Sequence, residues 1–189
     1  WDSPFEVPDG RSFEARLAEE RALGLTTEFF YDKYRARSAL IAQWLEEQLL
    51  RLRALGYRLG GYGAAAKGMV LLHFLMGRGE IASHLEFVVD DAPMKQGTYC
   101  PGTSIPVRPT AHLTHLLRTS PKRPLAIVVF AWNFATEISA RIKSVLPPTR
   151  SLGRPLLLIL PFPSPRVLTL RGDAVSVMAY RPTPLDDPL

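Results

Sequence analysis

Gly61-Tyr62-Gly63-Ala64-Ala65-Ala66-Lys67-Gly68 is a small-residue stretch between an apolar, strand-like entry and an apolar, helix-like exit that runs from Met69 to Met76. A chain that leaves a strand, turns on glycines and starts a helix leaves the first amides of that helix without an intrahelical acceptor. With the helix dipole behind them, these amides attract an anion such as a phosphate or pyrophosphate. Glycine and alanine suit the turn because a larger side chain would hold a ligand off the backbone and could not take a positive φ. The stretch therefore predicts a strand, turn and helix with an anion site at the turn. The bland alternative is a merely tight connection.

From residue 57 onward, short apolar runs alternate with helical patterns, which is the signature of a doubly wound α/β fold. Strands are expected at Tyr57 to Tyr62, Leu85 to Val89, Ile105 to Val107, Leu125 to Phe130 and Leu156 to Leu160. Helices are expected from Ala66 to Met76, from Pro109-Thr110 through Leu117, and from Thr136 to Val145 before Pro147-Pro148. Beyond Pro161, Pro163 and Pro165, the run from Val167 to Tyr180 reads as a hairpin turning at Arg171-Gly172-Asp173. That tripeptide is read as a turn, not as an adhesion motif.

Upstream, residues 1–10 read as an extended leader ending in the turn signal Pro8-Asp9-Gly10. A first helix is expected from an N-cap at Ser12 to Leu23, stopped by Gly24. A second runs from Thr27 to Leu55 and closes at Gly56, with Ala39, Leu40, Trp44, Leu45, Leu49 and Leu52 at helical spacing. Its charged face, including Arg35, Glu46 and Arg51, reads as solvated surface. Its apolar face must pack on the sheet that follows or on a neighbouring domain. The expected organisation is a helical extension over residues 1–56 and an α/β domain over residues 57–189.

The 189 residues are 47% hydrophobic and 22% charged, close to ordinary globular proportions, which argues against wholesale disorder. No apolar run approaches the ~20 residues of a membrane span, so a soluble, cytoplasmic protein is expected. The opening Trp1 to Val7 has neither a basic nor an apolar signal region, so no signal peptide is expected. The net charge of +5 is spread along the chain without a basic block or interleaved aromatics, which argues against nucleic acid. Cys100 is the single cysteine, so neither an intrachain disulfide nor a cysteine metal cluster can form. His73, His84, His112 and His115 do not make a ligand set, and no metal is expected.

Ligands of open α/β sheets lie beyond the carboxyl ends of the strands, near the switch in strand order. That rule selects Tyr62 to Gly68, Asp90 to Lys95, Ala131 to Asn133 and Pro161 to Ser164. Asp90 ends the second strand, where an acid in dinucleotide folds accepts from a ribose diol. The glycine spacing is G-x-G-x-x-x-x-G, however, so the nicotinamide fingerprint is not met. The ending Ala66-Lys67-Gly68-Met69 also lacks the close of a P-loop. Lys67 is placed to meet a phosphate or to be a solvated first-turn lysine, and its position alone leaves both open.

Five ordered blocks carry a family resemblance. Tyr62-Gly-Ala-Ala-Ala-Lys-Gly68, Val88-Val-Asp-Asp-Ala-Pro-Met-Lys-Gln-Gly97 and Pro101-Gly-Thr-Ser-Ile-Pro-Val107 resemble the C-terminal domain of the SAM-dependent sugar C-methyltransferases. Ala131-Trp-Asn-Phe-Ala-Thr-Glu-Ile138 and Leu160-Pro-Phe-Pro163 are similar to two further blocks, and the leader around Leu17 and Gly24 is similar as well. Met69 and His73 stand where the family typically has asparagine, and Ser104 where it often has histidine.

The resemblance implies a Rossmann-like, mostly parallel, doubly wound domain that closes over a nucleotide-sugar cleft. Zinc-binding and SAM-binding domains would lie elsewhere in the parent polypeptide. It implies no cofactor on this chain, S-adenosylmethionine on another domain, and no catalytic residue here. On this reading Lys67 and the backbone from Gly63 through Ala64 and Ala65 to Gly68 hold a phosphate, Asp90 holds a ribose or sugar hydroxyl, and Lys95 with Asn133 lines the cleft, with Tyr62 and Trp132 also among the ligand-binding residues. Lys95, Gln96 and Trp132 read equally as support for the loops that end the strands. Two rivals remain: a small NAD(P)-dependent oxidoreductase, and a non-catalytic interaction module.

Overall fold

The computed structural model describes residues 12–79, 81–119, 123–146, 155–171 and 174–179. Two helices come first, α1 (Phe13–Ala22) and α2 (Glu28–Ala54). The Ser12 hydroxyl accepts from the Ala15 amide at 3.2 Å, and Gly24 and Gly56 take φ of +73° and +81° behind the two helices. Caps and stops therefore fall where the sequence places them. The expected turn at residues 8–10 lies outside the described residues. The boundary between the chain's two compact units falls inside α2, between Leu40 and Ile41.

The second unit carries strands β1 (Arg58–Tyr62), β2 (Leu85–Asp90), β3 (Val107–Pro109), β4 (Leu125–Val129), β5 (Leu156–Leu160), β6 (Arg166–Arg171) and β7 (Ala174–Ala179). Between them lie α3 (Ala66–Met76), α4 (Thr110–Thr119) and α5 (Ala135–Val145). One sheet results, in the order β3-β2-β1-β4-β5-β6-β7. The first five strands are parallel, whereas β6 and β7 are antiparallel, so the sheet is mixed. The turn of the β6–β7 hairpin, at residues 172–173, lies outside the described residues, as do Pro147-Pro148 and Tyr180.

Strand β4 shows why these apolar runs form strands. Leu125, Ile127 and Val129 join the core under α4 and α5, while Ala126 and Val128 join the core under α2 and α3. A strand buried on both faces needs a continuous apolar run, and the side-chain period of two deals it out to two cores. On the first face Leu45 and Leu49 of α2 and Leu72 and Leu75 of α3 cover the sheet. On the second, Leu113, Leu117, Ile138 and Ile142 do so.

The third strand differs from the expectation. Ile105 bonds back to Cys100, whose amide donates to the Ile105 carbonyl at 2.9 Å. Pairing with β2 begins only at Val107, opposite Val88, and continues to Pro109, opposite Asp90. The run therefore enters the sheet two residues later than its apolar pattern suggests. Three 3-10 turns, Ile81–His84, Pro93–Lys95 and Trp132–Phe134, have no counterpart in the sequence reading.

Candidate functional site

The strand order changes direction between β1 and β4. From β1 the chain crosses to β2 through α3 over one core, and from β4 it crosses to β5 through α5 over the other. The loops after β1 and β4 part at this point, which is where open α/β sheets form a crevice. They also touch there. A Cβ on Gly63 would stand 2.5 Å from the Ala131 Cβ, and Gly63 takes φ +89°. Glycine is thus required at residue 63 for both conformation and space.

The other glycines of the signature do different work. Gly61 lies within β1, where a Cβ would meet the Phe130 ring at 2.7 Å. Gly68 is in the first turn of α3, and a Cβ there would be 2.5 Å from the Phe130 Cβ and 2.9 Å from its carbonyl oxygen. Both let α3 and Phe130 close on β1. The turn itself is only residues 63–65.

Asp90 binds this turn from within the protein. Its Oδ2 accepts from the Ala64 amide at 2.7 Å and from Lys95 Nζ at 3.2 Å, and its Oδ1 accepts from the Ala92 amide at 2.8 Å. Lys95 Nζ also donates to the Ala64 carbonyl at 3.0 Å. Gln96 donates to the Asp90 carbonyl at 3.0 Å. Asp90 is only 7% exposed. Two residues expected at the ligand, Asp90 and Lys95, thus hold the turn against the end of β2.

What remains open is the start of α3. Ala65, the N-cap, offers no side-chain acceptor, and the Met69 amide returns to the Ala65 carbonyl at 2.9 Å. The amides of Ala66 and Lys67, on exposed residues, lie in the turn that has no intrahelical acceptors. Lys67 makes no ion pair or side-chain hydrogen bond among the described residues. Asn133 is exposed likewise, on the 3-10 turn after β4. Beside it the Trp132 ring packs on Phe162, with centroids 4.8 Å apart and planes tilted 41°. Trp132, Phe162 and Ala64 all lie against the core under α2 and α3.

The Tyr62 side chain is not brought to this group, since it lies in the core under α4 and α5. Its hydroxyl donates to Asp91 Oδ2 at 3.1 Å. Asp91 Oδ1 pairs with Arg141 Nη1 and accepts from the Thr110 hydroxyl, each at 2.5 Å. Burial, then the Asp91 carboxylate, push the Tyr62 phenol above its ordinary value. Thr110 and Arg141 escape the sequence reading because nothing local marks them. They reach Asp91 only when α4 and α5 cover the same face.

The chain is thus a mixed, mostly parallel α/β sheet with a glycine turn and an open helix start at its switch point. Over residues 6–153 the chain matches the C-methyltransferase C-terminal domain, and it belongs to that family. It is 32% identical over 173 residues to the C-methyltransferase NovU of Streptomyces niveus. The match covers 87% of this chain but 37% of that relative. No described helix is long and apolar enough to cross a membrane.

Proposed function

We propose that this chain is the nucleotide-sugar or related phosphate-ligand binding domain of a SAM-dependent C-methyltransferase-like cytoplasmic protein, and that it is not competent for methyl transfer alone. The observation that carries this reading is the division of the glycine signature. Its turn is closed by Asp90 and Lys95, while the start of α3 and Lys67 stay open to an anion. Lys67, the Ala66 and Lys67 amides and Asn133 would meet the phosphate end of the ligand, with Trp132 beside them. The strand order supports reading the sheet as Rossmann-like, with the antiparallel β6–β7 hairpin added at one edge.

The residues present do not fit SAM at the usual ribose position. The acid there, Asp90, already accepts from two backbone amides and Lys95. The same occupation counts against the NAD(P) oxidoreductase reading. SAM is therefore assigned to another domain of the parent protein, together with the base that takes a proton from the acceptor carbon. A zinc-binding domain is assigned to the parent protein on the family resemblance. This chain's own contribution is to bind and orient the acceptor, which supplies proximity and not the proton transfer.

Calorimetric titration of the chain with a nucleoside-diphosphate-linked deoxysugar, and separately with NAD(H) and NADP(H), tests the reading. Saturable binding of the sugar nucleotide alone is expected, weakened about tenfold by Lys67→Ala, the loss of one charge-assisted contact. Saturable NAD(P) binding without sugar-nucleotide binding would overturn it. Unchanged affinity in Lys67→Ala would favour a non-catalytic interaction module. Methylation by the isolated chain with SAM would overturn the division of labour.

A further inference from the structure

Residues 12–40 contain two helical segments and not one buried residue. No side chain of α1 is buried, and α2 buries its first at Ile41. The arm is nonetheless apolar in places. Phe29, Phe30, Tyr31 and Tyr34 fall within six residues, with Phe29 68%, Tyr31 57% and Tyr34 59% exposed, and Phe13 on α1 is 73% exposed. Among the described residues the ring contacts here are between close neighbours on α2: Phe30 edge-on to Tyr31 at 5.5 Å, and Lys33 over Phe29 at 4.6 Å.

Helical segments of this kind draw their stability from burying one face, and a start with no buried residue is marginal in water. The arm carries five acidic and five basic residues, so its charge selects no strongly charged partner. Exposed aromatics are the anchors that protein interfaces favour. The family match begins at residue 6, so the arm belongs to the domain and forms its N-terminal side. In a domain described as C-terminal, that is the side at which the preceding polypeptide joins. The Streptomyces niveus relative extends far beyond this chain, which covers 37% of it.

We infer that the α1–α2 arm is a docking element whose occupant is the preceding part of a C-methyltransferase polypeptide, with Phe13, Phe29, Tyr31 and Tyr34 as anchors. The inference rests on the reading above that the chain works as one domain of such an enzyme. It assigns the arm to assembly and leaves ligand binding to the switch point.

Amide hydrogen exchange tests it on two proteins. One is this chain alone; the other is the whole Streptomyces niveus enzyme with this chain replacing the segment it matches. In the free chain the amides of residues 13–39 should exchange about a hundredfold or more faster than those of the sheet. In the whole enzyme they should become protected, and Phe29→Asp with Tyr34→Asp should return them to the free-chain rate while the sheet stays protected. Arm amides protected in the monomeric free chain would overturn the inference. Protection that rises with free-chain concentration, alongside a dimer mass, would name a second copy as the occupant and overturn it as well. Arm amides left unprotected in a whole enzyme whose sheet is protected, or left protected by the double substitution, would also overturn it. Sugar-nucleotide titration of the free double variant is expected to match the unsubstituted chain, so a failure of the ligand reading is seen separately.

Discussion

Asp90 Oδ2 lies 2.7 Å from the Ala64 amide nitrogen, which makes a carboxylate from the end of β2 the fixed partner of the amide that follows Gly63 in the turn. A buried acid with three protein donors is a structural element of the turn. Lys95, bound to both the Asp90 carboxylate and the Ala64 carbonyl, closes the same loop.

Asp90→Ala should therefore destabilise the domain by about 2–4 kcal/mol, because it strips acceptors from the Ala64 and Ala92 amides and from Lys95. The check is the midpoint of urea unfolding at unchanged slope. Lys95→Ala should cost less, since Lys95 is more exposed than Asp90 and the amides keep their acceptor. An Asp90→Ala variant as stable as the parent would remove the case for this structural role.

Gly63→Ala faces two obstacles, the positive φ and the Ala131 Cβ. Adding Ala131→Gly relieves only the second. The double variant should recover part of the loss, leaving the conformational cost of about 1–2 kcal/mol. A double-mutant cycle with no coupling between the two positions would contradict the contact.

Gly68→Ala meets the Phe130 backbone as well as its Cβ, so no rotamer change makes room. A loss of about 1–3 kcal/mol is expected from overpacking, with the helix content unchanged by circular dichroism. Val70→Ala, on the exposed side of the same helix, should lie within about 0.5 kcal/mol of the parent.

Two groups should shape the pH dependence. Burial, with the Arg108 and Arg58 charges, lowers the His112 pKa, so the unfolded chain takes the proton first. Its contribution is fully present above the ordinary value of about 6.5 and is lost as pH falls from there through the folded value. His112→Gln should flatten that acid limb. Tyr62 has the opposite sign: its raised pKa gives stability present below about 10 and lost as pH rises through the folded value. Tyr62→Phe should flatten the alkaline limb while costing about 0.5–1.5 kcal/mol at neutral pH for the lost bond to Asp91. Thermal melts across pH check both.

The sequence by itself determined the alternation of strands and helices, the bounds of α3 and β5, the Ser12 cap, the stops at Gly24 and Gly56, and the family. These are readable because each follows from a local rule: side-chain period, helix-end chemistry, or ordered motif blocks. The tertiary structure alone decided how the glycine signature divides, with Gly63 turning the chain while Gly61 and Gly68 admit Phe130. It also decided that Asp90 and Lys95 hold the turn, and that Tyr62, Thr110 and Arg141 gather on Asp91. The partners in these contacts lie tens of residues apart, as Ala64 and Asp90 do at a separation of 26. No local pattern encodes which of them meet, because the meeting is set by strand order and by the face each helix covers.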